Sequence, residues 1–304
     1  MNDPGLSIII VSYNASRTIA RCLAALEQQT VKSGVEIIVV DSSTDDTADI
    51  ISAGFPSVHL HTFAARKYPG DARNYAISQA RSNLLAFIDA DCLARPDWAQ
   101  QILAAHQTDR AAIGGVIDNA NPNHLVGWVY YFCEFAAWMP GSKPGVVEEI
   151  PGACLSFRRE MFDRYGPFLG GTYCSDTAFH WRMARDGHRP WLDPTIRIAH
   201  INPTRLWALW RHEVHHGRYF ASVRVEEQAF SPLRRLVYIV AAPLLPFLLF
   251  SRIAVCVCKK GRYRCRFLCL APLVLLGKMA WSWGELQGYL RGSDKIHACW
   301  VNPL

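Results

Sequence analysis

The chain has 304 residues, half of them hydrophobic and 19% charged, which marks a globular protein with room for one large domain or two modest ones. The formal net charge of +6 is unevenly spread: residues 1–200 hold 17 Lys+Arg against 21 Asp+Glu, and residues 201–304 hold 15 against 5. An acidic body followed by a basic, apolar end argues for a soluble catalytic or binding domain joined to a surface-seeking segment.

The apolar run at residues 6–11 is too short for a secretory h-region and no cleavage motif follows, so no signal peptide is expected. The ten cysteines form no zinc-type CxxC pairs, and most sit singly in apolar contexts, where reduced, buried thiols are expected. Cys256, Cys258, Cys265 and Cys269 cluster at the edges of apolar runs, a pattern compatible with acylation.

In chain order, LSIIIV (6–11) reads as a buried strand ending in the turn-prone Ser12-Tyr13-Asn14. Ile19, Cys22, Leu23 and Leu26 then recur with helical spacing. VEIIVVD (35–41) repeats the plan: strand, terminal acid, polar turn, helix. A third strand is expected at 58–62, a helix at 72–80 and a strand at 84–88. Further strands are expected at 111–117, 152–158 and 195–200, with helices from Arg159 and over 176–185. Strands alternating with helices predict an α/β fold whose mostly parallel sheet is covered on both faces. Ligands of such sheets gather beyond the carboxyl ends of the strands, where Asn14, Asp41, Asp89 and Asp91 all fall.

From Leu236 the character changes. Two apolar runs, 236–258 and 267–283, are interrupted only by Arg252 and Lys278, and each is near the length that spans a bilayer, about 17–25 residues. The stretch between them (259–266) carries five cations and no acid, and Pro243, Pro246 and Pro272 interrupt helical continuity. These features predict a helical hairpin that dips into one leaflet and returns to the cytoplasmic face, its cations at anionic headgroups.

Asp89 and Asp91 sit one residue apart after a strand; if the extended conformation persists they point the same way and can share a hard divalent cation. Two solvated acids at a helix N-terminus would look the same. The surrounding stretches SIIIVSYNASRTIARCLAALEQQT, VEIIVVDSSTDDTADI, GDARNYAISQARSNLLAFIDADC, GACLSFRREMFDRYGPFL and CSDTAFHWRMARDGHRPWLDPTIRIAH resemble, in that order, the catalytic domain of glycosyltransferase family 2. The likeness covers roughly residues 5–200.

This resemblance implies a GT-A (nucleotide-diphospho-sugar transferase) fold and inverting sugar transfer assisted by Mg²⁺ or Mn²⁺. Ser12, Asn14 and Asp41 match positions that hold the nucleoside, Arg73 lies beside the nucleotide, and Asp89 approaches ribose and metal. Asp91 matches the metal ligand, His200 a histidine that completes the metal site, and Asp176 the catalytic base. Asp41 as a helix cap, Arg73 as a surface arginine and His200 as a hydrogen-bonded strand end remain alternatives. The family pattern has Glu-Asp at the base, whereas here it is Ser175-Asp176.

The implied organisation is a catalytic domain (1–204), a basic aromatic interfacial segment (205–235) and a membrane-associated hairpin with tail (236–304). In the interfacial segment Arg211 and Arg218 are candidates to touch diphosphate or acceptor. His212, His215 and His216 are spaced like metal ligands, with Glu213 the only neighbouring carboxylate. The implied partners are a nucleotide-sugar donor, a lipid-linked or glycan acceptor and membrane lipid, with no nucleic acid. A non-catalytic nucleotide-sugar-binding scaffold subunit, suggested by Ser175, is the competing reading.

Overall fold

The computed structural model describes residues 4–31 and 34–291. Two compact units emerge. The first gathers residues through Ala120, Lys143–Gly171 and Ser175–Ile201; the second gathers Asn121–Ser142, Thr172–Cys174 and the residues from Asn202.

In the first unit the buried run of β1 (Leu6–Ser12) is followed by α1 (Ile19–Glu27), which turns Ile19, Cys22, Leu23 and Leu26 inward. Then come β2 (Val35–Asp41), α2 (Thr47–Gly54), β3 (His59–Thr62), α3 (Pro69–Gln79), β4 (Leu84–Asp89), β5 (Cys92–Ala94), α4 (Trp98–Ala105) and β6 (Ala112–Asn119). Helix α3 starts three residues before the predicted Ala72, because Pro69 fits the first helical turn, where its missing N–H costs nothing.

Helix α5 (Leu125–Phe135) belongs to the second unit, and the first resumes with β7 (Gly145–Val146), β8 (Cys154–Arg158), α6 (Glu160–Tyr165), α7 (Ser175–Arg185) and β9 (Trp191–His200). β9 begins ahead of the predicted Thr195. The register against β6 slips between Gly114 and Val116, which lets the strand carry Pro194 in an irregular stretch.

Among the described residues nine strands form one sheet in the order β3-β2-β1-β4-β8-β6-β9-β5, with β7 also on β9. β3, β2, β1 and β4 are mutually parallel, β8 is antiparallel to β4 and β6, and β6 runs parallel to β9. A mixed, mostly parallel sheet flanked by helices is the GT-A fold.

In the second unit α8 (Leu206–Glu227) packs along α11 (Arg264–Arg291). Three glycines permit the approach: a Cβ on Gly217 would lie 2.2 Å from the Trp281 carbonyl oxygen, on Gly284 2.0 Å from that of Val214, and on Gly288 2.5 Å from that of Arg218. Small residues at a helix crossing bring the backbones together.

The apolar run from Leu236 is not one helix. It divides into α9 (Pro232–Ala241) and α10 (Leu245–Lys260), joined through a 3-10 turn at Ala242–Leu244 that contains Pro243. Ser231 caps α9, its hydroxyl accepting from the Arg234 N–H at 3.2 Å, and Gly261 ends α10 in the left-handed conformation (φ 72°). Pro232–Lys260 and Arg264–Arg291 are each long and apolar enough to cross a membrane. The expected tail at 292–304 lies outside the described residues.

Candidate active site

The parallel register assembles one rim. Ser12 pairs with Asp41 across β1 and β2, and Val11 pairs with Asp89 across β1 and β4, so the ends of three strands deliver Ser12, Asp41 and Asp89 together. The Ser12 hydroxyl donates to Asp41 Oδ1 at 2.6 Å, and Ser43 adds its hydroxyl to the same oxygen at 2.6 Å and its N–H to Oδ2 at 3.1 Å. This buried carboxylate is thus preset by three donors. Asn14 takes a positive φ of 53°, for which its short amide suits it; its side-chain oxygen accepts from the Thr44 N–H at 2.8 Å, closing the loop. Arg66 stacks over Tyr13 at 4.0 Å beside this loop, a contact that sequence spacing did not suggest.

The extended conformation does not persist through the Asp-x-Asp pair, so strand alternation does not set the direction of its two acids. β4 stops at Asp89, a turn covers Ala90 and Asp91, and β5 starts at Cys92. Asp89, about one-third exposed, faces the buried Arg73 guanidinium at 3.3 Å. Asp91 faces His200, whose Nε2 lies 3.2 Å from Oδ1. Sheet register enforces this second pairing, because Cys92 is opposite His200 and the Ile201 N–H donates to the Asp91 carbonyl at 2.8 Å. Burial pushes Asp89 above the usual carboxylate range against the pull of Arg73, and the charges of Asp91 and Asp176 add to the rise.

The donor set suits a hard or borderline divalent cation: one carboxylate and one buried imidazole converge, with a second carboxylate on the same rim. The Cys92 sulfur also lies 3.8 Å from Asp91 Oδ1, but burial and then the Asp91 and Asp89 charges push its thiol well above the usual range. The oxygen and nitrogen ligands are therefore the ones that fit.

Asp176 opens α7, and two backbone groups aim its carboxylate: the Gly152 N–H donates to Oδ2 at 2.7 Å and the Thr177 N–H to Oδ1 at 2.9 Å. Gly152 does this from a turn ahead of β8, which is why that strand begins at Cys154 and not at Gly152. Arg73 bridges the two halves of the site, reaching the fully buried Ser175 hydroxyl at 3.4 Å as well as Asp89. A serine at 175 leaves Asp89 as the carboxylate paired with Arg73. Glycine at 152 leaves the guanidinium this room, since a Cβ there would lie 2.3 Å from Arg73 Nη2 and displace it.

A cavity of about 850 Å³, lined by Arg110, Glu160, Arg164 and Trp191 among others, contains none of these residues. Arg211 and Arg218 lie on α8 in the second unit, where Arg211 stacks over Trp207 at 5.2 Å and Arg218 is buried.

A mixed, mostly parallel sheet whose strand ends carry acids, with a separate acid in the first turn of a later helix, has the GT-A architecture. The family model of Glycosyl transferase family 2 matches residues 7–166, and the chain belongs to that family.

Glycosyltransferase AglE of Haloferax volcanii is 32% identical over 173 residues, 54% of this chain and 56% of its own length. Succinoglycan biosynthesis protein ExoO of Rhizobium meliloti is 32% identical over 127 residues, 41% of this chain and 35% of its own length. The chain thus spans about half or less of these curated relatives. Among solved structures, mannosyltransferase PcManGT from Pyrobaculum calidifontis in complex with GDP-Man and Mn²⁺ aligns with a TM-score of 0.59 at 19% identity, covering 95% of this chain and 86% of that one. TarS from S. aureus in complex with UDP-GlcNAc aligns with a TM-score of 0.52 at 14% identity, covering 94% and 91%.

Proposed function

We propose that the protein transfers a sugar, with inversion, from a nucleotide-diphosphate donor to a lipid-linked or membrane-proximal acceptor in cell-envelope glycan or glycolipid synthesis. The observation that carries this reading is the convergence of Asp41, Asp89, Arg73 and Asp176, from four separate elements, on one sheet rim. A relative named for succinoglycan biosynthesis and fold neighbours in complex with GDP-Man or UDP-GlcNAc support it.

In this reading Ser12, Asn14 and Asp41 hold the nucleoside, the preset Asp41 carboxylate accepting from ribose or base. Arg73 lends its guanidinium to the diphosphate, a fork well matched to phosphate oxygens. Asp91 and His200, with Asp89 beside them, would hold Mg²⁺ or Mn²⁺, which supplies positive charge where the leaving diphosphate develops negative charge. Asp176 acts as base: the acceptor oxygen bonds to the anomeric carbon as the bond to the diphosphate oxygen breaks, and the hydroxyl proton passes to the carboxylate. The backbone donors from Gly152 and Thr177 fix the direction in which that carboxylate receives it. Arg211 and Arg218 are assigned to diphosphate or acceptor contacts.

Membrane association completes the proposal. The catalytic domain (1–204) faces the cytoplasm, α8 is interfacial, and the hairpin from residue 236 dips into one leaflet. At about 1.5 Å per residue, α9 is roughly 15 Å long and α10 roughly 24 Å, each by itself shorter than the ~30 Å hydrocarbon core, while α11, at roughly 42 Å, must lie oblique to it to remain in one leaflet. Their outward Leu233, Val240, Leu244 and Phe247 are exposed. Labelling of Cys258 and Cys265 by an impermeant reagent added only to the far side of the membrane would contradict the re-entrant hairpin. The enzymatic reading is tested with detergent-solubilised protein, Mn²⁺ and a panel of UDP- and GDP-sugars. Donor turnover is expected, and tight binding without turnover would favour the scaffold.

A further inference from the structure

Residues 212–216 read His-Glu-x-x-His on α8, which places His212 and His216 one turn apart on one face. The sequence offered Glu213 as their carboxylate, and the structure supplies a different one. Glu134, from α5, turns Oε2 to both rings, 2.9 Å from His216 Nδ1 and 3.5 Å from His212 Nε2. His215 stands outside the cluster formed by Glu134, His212 and His216, whose three ligand atoms lie within 4.8 Å of one another. All three residues belong to the second unit, so the arrangement is internal to it.

We propose that Glu134, His212 and His216 form a binding site for a zinc-class divalent metal that clamps α5 to α8. Zinc bonds of about 2.0–2.1 Å in a tetrahedron set ligand atoms roughly 3.3–3.4 Å apart. The observed 3.5 and 2.9 Å separations bracket that spacing, so small side-chain shifts suffice. Two imidazoles and a carboxylate are the ligand class that suits Zn²⁺ and its first-row neighbours.

The surroundings are those of a supported metal site. The Tyr130 hydroxyl lies 3.1 Å from His212 Nε2, beside the metal position and at hand for a fourth contact. Lys278 Nζ lies 3.8 Å from the other Glu134 oxygen, 2.7 Å from Glu213 Oε2 and donates to the Cys133 carbonyl at 3.1 Å, which fixes the carboxylate from behind. The rings of Tyr173 and Trp281 meet His216 edge-on at 5.0 and 4.4 Å and limit access. Glu213 pairs with Lys278 at 2.7 Å and is not one of the three ligand residues, which join α5 to α8.

The test uses the full chain in detergent with Asp91→Ala added, so that metal at the transferase rim does not confuse the count. After chelator treatment the protein is titrated with Zn²⁺ alone, bound metal is counted by atomic emission, and Co²⁺ substitution reports geometry by its visible absorption. We expect one tightly held Zn²⁺ per chain and an intense Co²⁺ spectrum of tetrahedral type. Glu134→Gln and His216→Gln should each lower Zn²⁺ affinity beyond the roughly 100-fold reached by loss of an outer partner. His215→Ala should leave it unchanged. Absence of stoichiometric Zn²⁺, a weak octahedral Co²⁺ spectrum, or equal affinity in Glu134→Gln would each overturn the assignment and leave a proton-linked hydrogen-bond cluster. The Co²⁺ reading needs no ligand variant, so a misfolded mutant cannot decide the question.

Discussion

Gly152→Ala isolates the part that Arg73 plays. The added carbon would stand 2.3 Å from Nη2 and 2.6 Å from Cζ of Arg73, about 1 Å inside ordinary contact distances of roughly 3.5 Å. The guanidinium must retreat by about that much. Its contacts to Asp89 and Ser175, at 3.3 and 3.4 Å, are already long and would both be lost. The side chain is flexible, so the strain falls near the low end of overpacking, about 1 kcal/mol. Asp89 is one-third exposed, so water recovers most of the ion pair and its loss adds less than about 1 kcal/mol. Stability should therefore fall by about 1–2 kcal/mol. Donor binding loses a charge-assisted contact of about 1.5–3 kcal/mol, a roughly 10- to 150-fold weakening. Calorimetric titration with UDP and GDP in Mn²⁺, beside urea denaturation, separates the two effects. Gly54→Ala, where a Cβ meets nothing within 4 Å, serves as the neutral control. Unchanged nucleotide affinity in Gly152→Ala, with the expected loss of stability, would refute the role given to Arg73.

Three further outcomes are expected. Burial, and then the Arg158 charge, lowers the His106 pKa to about 4, while its Nε2 is held 2.9 Å from the Ser156 hydroxyl. The unfolded chain, with a pKa near 6.5, binds the extra proton first, so stability falls as pH drops from about 6.5 to 4 and is flat above; this group contributes about 3 kcal/mol to that loss. His106→Gln should flatten urea-derived stability between pH 7 and 4.5 by that amount, and an unaltered slope would be contrary evidence. Gly284→Ala drives a methyl to 2.0 Å from the Val214 carbonyl oxygen and should cost about 1–3 kcal/mol, read as a lower melting temperature in detergent. Chelation should abolish sugar transfer, Mn²⁺ or Mg²⁺ should restore it, and His200→Ala should raise the metal concentration needed for half-maximal rate.

Much of the first unit was legible because its signals are local. β-branched runs ending in polar residues gave β1, β2 and β4, and parallel pairing then carried Ser12, Asp41 and Asp89 to one edge. The direction of Asp91 was not legible. It depends on a turn at Ala90 and on the register of β5 against β9, which joins residues more than a hundred positions apart. Pro69 and Pro194 both moved element starts earlier than expected, one by opening α3 and the other by being carried inside β9. Glu134 was invisible for a similar cause: it meets His216 across 82 residues of sequence, while the adjacent Glu213 looked like the nearer partner. The hydropathy of the C-terminal end was plain and Pro243 marked the break between α9 and α10, whereas Pro272, expected to interrupt a helix, lies inside the continuous α11.

The central claim is that Asp176 is the base of a sugar transfer whose donor is held elsewhere on the rim. Single-turnover transfer from a radiolabelled nucleotide-sugar, measured for Asp176→Asn beside donor binding and a melting curve, tests it most directly. The account predicts a cooperative melt, donor affinity equal to the unsubstituted chain, and transfer slower by about 10²–10⁴-fold. Transfer at the unsubstituted rate, or loss of donor binding in a folded protein, would contradict it.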